Sequence, residues 1–233
     1  NFPTLRCLEQ IRNDCAYHNA NVKIVCVGGG FVYGSLGMSH HATEDIAMMR
    51  SLPNVTVVAP GDLVEAACAT KAIYETPGTC YLRLGRGGEK KIHPDNIDFE
   101  IGKAIKVQDG EEIAIFSTGA IFEEVSEACE ILKESGINPT VYTFPTVKPI
   151  DEKTIREIAE SHKLIVTCEE HNLSGGFGSA VAEVLAELPA HARLLRMGMN
   201  DQYCTIVGDQ KYLRDQYGIS GKKIAEKILH EVK

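Results

Sequence analysis

The sequence holds no apolar run approaching the ~18 residues of a membrane span, and no basic, apolar leader opens it. The cysteines, read below as reduced, set the expectation of a cytoplasmic protein. Basic residues are also short: 24 Lys and Arg stand against 32 Asp and Glu, a net charge of −8. That balance argues against a nucleic-acid or anionic-membrane partner, whose phosphates demand a basic face. The eight cysteines, Cys7, Cys15, Cys26, Cys68, Cys80, Cys129, Cys168 and Cys204, form no CxxC pair and no zinc-like spacing. In a chain of this length with an ample aliphatic core they read as reduced core residues rather than a disulfide scaffold. Internal repeats and low-complexity tracts are absent as well.

What is present is a strict alternation. Apolar runs at 22–27, 55–59, 80–84, 113–117, 140–144, 164–168 and 193–197 read as buried strands of parallel sheets. Between them lie helix-period segments. One follows Asp62, whose side chain is placed to cap it, and another runs from Ile121 to a stop at Gly136. Others are expected near 152–161 after Pro149 and Asp151, from Ser174 to Pro189, and over 222–231. Such alternation predicts an α/β layer fold with right-handed crossovers. The stretch 85–110, rich in Gly, Lys and Asp with one weak strand near 101–107, breaks the rhythm and marks a domain boundary. At 233 residues with 44% hydrophobic content, two modest cores are the better reading. The sequence opens on Asn1 rather than Met with a helical pattern almost at once, so a longer parent chain is expected.

In open parallel sheets ligands bind beyond the carboxyl ends of strands. Three loops at such ends carry polar chemistry. Gly28-Gly-Gly-Phe-Val-Tyr-Gly-Ser-Leu-Gly-Met-Ser-His-His41 has glycines that let backbone approach a ligand, and His40 and His41 offer proton carriers near neutral pH. It is not a GxGxxG fingerprint and lacks a third zinc ligand; a flexible turn with two solvated histidines fits the residues equally well. Tyr81-Leu-Arg-Leu-Gly-Arg86 delivers two guanidinium groups, Arg83 and Arg86, able to grip a phosphate, though taken alone the segment reads better as surface ion pairs. The third, Cys168-Glu-Glu-His-Asn-Leu-Ser-Gly-Gly-Phe-Gly178, imitates a catalytic cluster; tight helix-to-sheet packing with charged residues at a domain contact is the preferred reading.

Taken in order, these segments resemble transketolases. The likeness runs through Phe2-Pro-Thr-Leu-Arg-Cys-Leu-Glu-Gln-Ile-Arg12 and Asn21-Val-Lys-Ile-Val25. It is strongest at Ser39-His-His-Ala-Thr-Glu-Asp-Ile-Ala-Met-Met-Arg-Ser-Leu-Pro-Asn54 with Val57-Val-Ala-Pro-Gly-Asp62. It resumes at 81–86, 169–178 and Asp215-Gln-Tyr-Gly-Ile-Ser-Gly221. The resemblance implies two open, mostly parallel three-layer α/β/α units, the first incomplete. Residues 1–88 would form the distal part of a pyrimidine-binding domain for thiamin diphosphate, 89–108 a linker, and 109–233 the C-terminal domain. It also implies a transferase of carbohydrate metabolism that moves a two-carbon ketol unit between sugar phosphates.

By the same resemblance Phe2 stacks on the aminopyrimidine, His40 lines the substrate channel and relays protons, and Arg86, helped by Arg83, holds the substrate phosphate. Gly28 stands where the family has a histidine and Leu36 where it has an aspartate touching sugar hydroxyls, so substrate preference is expected to differ. The glutamate that activates the cofactor, and the Gly-Asp-Gly motif for diphosphate and Mg²⁺, have no counterpart; Gly61-Asp62 and Gly208-Asp209 lack the third glycine. The chain alone is therefore expected to be inactive and to bind no cofactor tightly. It would need an N-terminal diphosphate-binding domain or subunit and would form a homodimer. Alternatives are a 1-deoxyxylulose-5-phosphate synthase or a 2-oxo-acid dehydrogenase β-subunit-like protein, or a non-catalytic dimerisation module. A further expectation is an exposed apolar surface on the N-terminal half.

Overall fold

The computed structural model describes residues 2–232; Asn1, which raised the question of a longer chain, lies outside them. Strands are β1 (Lys23–Val27), β2 (Val55–Val58), β3 (Thr79–Leu84), β4 (Ile105–Gln108), β5 (Ile113–Thr118), β6 (Thr140–Thr143), β7 (Thr146–Lys148), β8 (Leu164–Asn172) and β9 (Arg193–Met199). Helices are α1 (Phe2–Arg6), α2 (Leu8–Gln10), α3 (Asp45–Ser51), α4 (Leu63–Glu75), α5 (Phe122–Glu134), α6 (Glu152–Ser161), α7 (Phe177–Ala186), α8 (Gln210–Gln216) and α9 (Gly221–Glu231). A π-helical segment, Ile11–Ala16, follows α2.

The strands form two mostly parallel sheets, ordered β1-β3-β2-β7 and β4-β6-β5-β8-β9. Placement follows side-chain chemistry. β5 sits mid-sheet with all six residues buried, as its unbroken apolar run requires. β1 is an edge strand that alternates: Cys26 faces the core, whereas Val25 and Val27 are 51% and 42% exposed. The apolar surface expected on the N-terminal half is therefore present. Helix starts obey capping chemistry, because Asp62, Asp151, Asp209 and Ser220 each accept a backbone N–H from the first turn of α4, α6, α8 and α9.

Two features depart from the sequence reading. Residues 146–148, which gave no strand signal, form β7 and pair antiparallel with β2, so the first sheet takes its fourth strand from the later half of the chain. Lys148 of β7 then donates to the carbonyls of Arg50 (3.0 Å) and Leu52 (2.5 Å), satisfying the open end of α3. The weak strand expected near 101–107 is present as β4 at 105–108, but it runs antiparallel to β6 at the edge of the second sheet. One apolar cluster continues across both sheets, from Val57 and Tyr81 through Phe116 and Phe144 to Phe177. Ring centroids there are 4.8 Å apart for Phe116–Phe144 and 5.3 Å for Phe144–Phe177.

Candidate functional site

β1 and β3 run parallel with Val27 opposite Leu84, so the glycine loop and Arg86 leave the same carboxyl edge side by side. The amide of Gly28 donates to the carbonyls of Leu84 and Gly85, each at 3.0 Å. Gly30 and Ala42 then exchange two backbone hydrogen bonds (2.9 and 3.0 Å), closing residues 31–41 into a loop with a tied neck. Inside it, 3₁₀ turns span Gly34–Leu36 and Met38–His40.

The adjacent histidines diverge. His40 is half-buried and meets the ring of Phe2 edge-on, with centroids 5.2 Å apart at 77°. Phe2 is 43% exposed, and the Arg6 guanidinium lies 5.5 Å from its centroid. His41 turns inward against Phe31 (5.3 Å), and burial lowers its pKa, favouring the neutral ring. Leu36 and Met38 are more than half exposed on the same loop.

Arg86 is exposed and lines a cleft of about 420 Å³ with Val32, Gly34, Ser35, Gln210 and Arg214. Phe2 and His40 do not line that cleft; they meet farther along the loop. Arg83 differs altogether. Only 4% exposed, its guanidinium donates to Asp45 Oδ2 (2.8 Å), Ala42 O (2.7 Å) and Glu170 O (3.0 Å). The substrate-phosphate role read for Arg83 does not fit this geometry, since its charge is already met by a buried carboxylate.

Glycines of the loop approach protein rather than ligand: an added Cβ would meet Tyr33 at Gly28, Arg83 at Gly29 and Glu170 at Gly30. The third polar segment is a contact between the sheets. Glu169 accepts from Phe177 N (2.7 Å) and Gly178 N (2.8 Å) at the start of α7. His171 Nε2 accepts from Ala47 N (3.3 Å), and Asn172 N donates to Thr43 O (2.8 Å). Sequence reasoning missed Asp45, Gln210 and Arg214. No spacing pattern marks them, because their partners lie 38 to 44 residues away in the chain.

Complete burial pushes the Glu169 carboxyl up to about 7, against 4.5 for the free group. Its contribution to stability is thus full below about 4.5 and is lost as pH rises through about 7. The stability of the wild type relative to Glu169→Gln is expected to fall between pH 5 and pH 8 by on the order of 3 kcal/mol, at 1.36 kcal/mol per unit. Denaturant titrations at both pH values measure it, and a flat difference would mean the carboxyl is ionised throughout.

A cofactor with an aromatic ring and a metal-bound diphosphate would find only part of a site here. Phe2 offers an exposed ring for stacking. Among the described residues no group of three His, Cys, Asp or Glu side chains is placed to hold a metal ion. Asp62 and Asp209, the aspartates of the two Gly-Asp pairs, are engaged as helix caps.

These features define a two-sheet α/β protein with polar loops gathered at the carboxyl edge of its first sheet. Residues 1–88 match the family model of the transketolase pyrimidine binding domain and residues 102–224 that of the transketolase C-terminal domain, and the chain belongs to the transketolase family. It is 40% identical over 234 residues to a chain of Methanocaldococcus jannaschii named as a transketolase C-terminal section, spanning 100% of this chain and 73% of that relative. It is 34% identical to one subunit of the apulose-4-phosphate transketolase of Phocaeicola vulgatus, spanning 100% of this chain and 74% of the relative. A solved split-gene transketolase, an inactive β4 tetramer, superposes with a TM-score of 0.86 at 33% identity, covering 98% of this chain and 72% of that one.

Proposed function

We propose that this chain is one part of a thiamin-diphosphate-dependent enzyme that transfers a two-carbon ketol unit between sugar phosphates and is inactive until joined to a partner carrying the diphosphate and Mg²⁺ site. The observation that carries this reading is the Phe2–His40 ring contact, at 5.2 Å, on a loop beside a cleft containing Arg86. In this reading 1–88 and 109–233 are the two domains joined by 89–108, the homodimer is the working form, and the enzyme is cytoplasmic.

Thiamin diphosphate, when bound, supplies the carbanion chemistry. Phe2 presents a ring face to the aminopyrimidine. His40, half-buried with Ser39 Oγ 3.1 Å from its Nδ1, carries protons to and from the substrate oxygens at Nε2. Arg86 meets the substrate phosphate as a bidentate donor. The exposed Val25 and Val27 on the edge strand give the partner polypeptide an apolar face to cover.

Reconstitution tests this. The full chain, mixed with a polypeptide bearing a transketolase diphosphate-binding domain, is expected to transfer ketol units from a ketose phosphate only when thiamin diphosphate and Mg²⁺ are added. Arg86→Ala in that assembly is expected to raise KM for the phosphorylated substrate about 10–100-fold, the equivalent of a charged hydrogen bond worth ~1.5–3 kcal/mol, with a smaller effect on an unphosphorylated analogue. No transfer from a verified assembly would sink the reading; a product that needs pyruvate would point to the deoxyxylulose-phosphate synthase chemistry named for other relatives 33% identical to this chain.

A further inference from the structure

The strand β8 outruns its partner β5: that pairing ends at Glu169 opposite Thr118, while β8 continues to Asn172, which stays opposite Met199 of β9 and whose N–H reaches Thr43 O in the first half of the chain. Glu170, the first residue past the β5 pairing, is 1% exposed. Its Oε1 accepts from the backbone N–H of Phe31 (2.9 Å) and from Gln210 Nε2 (3.1 Å), and its Oε2 from Gln210 Nε2 (3.0 Å) and Arg214 Nη2 (2.7 Å). Its own carbonyl accepts from Arg83.

Phe31 is the first residue of the 31–41 loop that carries His40, just beyond the Gly30–Ala42 tie. Arg83 donates to Ala42 O, the other side of the same neck. The far side of the loop is held from the second sheet's half of the chain as well: Gly208 N donates to Gly34 O (3.4 Å), and an added Cβ on Gly34 would meet Leu213. Arg214 is meanwhile braced by Glu124 at 3.1 Å. The neck of the loop is thus anchored from the second half of the molecule as well as from its own sheet. A wholly buried ion pair contributes little net stability compared with apolar side chains of the same volume. What Glu170 does contribute is direction, because three separate segments must meet at one carboxylate.

We propose that Glu170 is a positioning residue: its carboxylate, carried by the second sheet, sets the neck of the 31–41 loop and through it the place of His40 against Phe2. It touches no substrate in this scheme. The inference rests on the functional reading above only for its kinetic arm.

The test uses the full chain. In the wild type, hydrogen exchange is expected to show the Phe31 amide opening only with larger unfolding, because its acceptor is buried; exchange at the rate of an exposed amide would overturn the proposal. In Glu170→Met, which removes the carboxylate and leaves Arg214 paired with Glu124, amides in 31–41 are expected to exchange about 10-fold faster or more while those of β5 and β8 stay protected. A folded Glu170→Met variant with unchanged exchange in 31–41 would also overturn it. Glu170→Gln, which keeps one acceptor for Phe31, covers the case in which Glu170→Met does not fold, and is expected to fall between it and the wild type. In the reconstituted enzyme, Glu170→Met is expected to lower kcat about 100-fold, the cost of a misplacement of ~1 Å at His40, and to raise KM for the phosphorylated substrate by much less, since Arg86 and Arg214 stay in place while Val32, Gly34 and Ser35 of the loop line their cleft. A rise in KM alone with kcat unchanged counts against the proposal. If the assembly shows no ketol transfer at all, the functional reading fails and exchange alone decides the role of Glu170.

Discussion

Arg83→Met is expected to destabilise the full chain by about 3–5 kcal/mol, the usual loss when one partner of a buried ion pair is removed. Asp45 is 2% exposed, and its Oδ2 accepts both Arg83 Nε (2.8 Å) and Tyr81 OH (2.6 Å). Without the guanidinium, a buried carboxylate loses its cation and keeps the Tyr81 hydroxyl as a hydrogen-bond donor. The carbonyls of Ala42 and Glu170 lose a donor at the same time. For a chain of this size that loss corresponds to about 6–20 °C in Tm, at ~2–4 °C per kcal/mol. Arg83→Met/Asp45→Leu is expected to lose less than the sum of the two single variants, because no buried charge remains; the double-mutant cycle reads that coupling. A single variant within about 1 kcal/mol of wild type would mean that water reaches the pair in solution.

Gly30→Ala is the second substitution with a large expected effect. Gly30 has φ +64°, a left-handed conformation that costs an L-residue about 1–2 kcal/mol. Its added Cβ would lie 2.5 Å from both Cγ and Cδ of Glu170, so the carboxylate has to move. Moving it separates Arg214 from one of its two buried carboxylate partners and takes the acceptor from Phe31 N, and the combined cost is expected to reach about 4 kcal/mol. Thermal unfolding measures the loss. Gly87→Ala serves as the comparison: it has φ +103° and no heavy atom within 4 Å of an added Cβ, so it carries the backbone cost alone. Equal losses at the two positions would show that the clash with Glu170 is relieved cheaply.

The difference between these two glycines explains how much of the site was legible in the sequence. The run Gly28 to Gly30 announced a close approach by some group, which is what glycine permits. It did not say that the group is a carboxylate from the other half of the chain. Glu170 itself was read as one of two paired carboxylates beside His171 at a domain contact, with no partner named for it. Arg83 and Arg86, two residues of one type on one short segment, look equivalent in the sequence. In the structure one is sealed against Asp45 and the other lines a cleft, since the strand ends between them at Leu84. The histidines separate for a related reason: consecutive side chains leaving a 3₁₀ turn point apart, sending His40 to Phe2 and His41 to Phe31.

The strands show the same division. β5, β8 and the other long apolar runs were visible because a buried parallel strand needs apolar residues on both faces. β7 has three residues between Pro145 and Pro149, too few for any period to register, and exists through its pairing with β2, far earlier in the chain. α8 carries Lys211, Arg214 and Asp215 on one short helix, and it is held by Leu213 and Arg214 packing inward rather than by an apolar stripe.

By itself, then, the order of residues determined the alternating α/β layers, the helix caps at Asp62 and Asp151, and the likeness to transketolases, because those depend on local periodicity and on short motifs. Tertiary structure alone decided which charges are consumed in the interior and which face a cleft, and that β7 and Glu170 bind the two sheets together. Those outcomes turn on distances between segments far apart in the chain, and a pattern read along one dimension carries no measure of them.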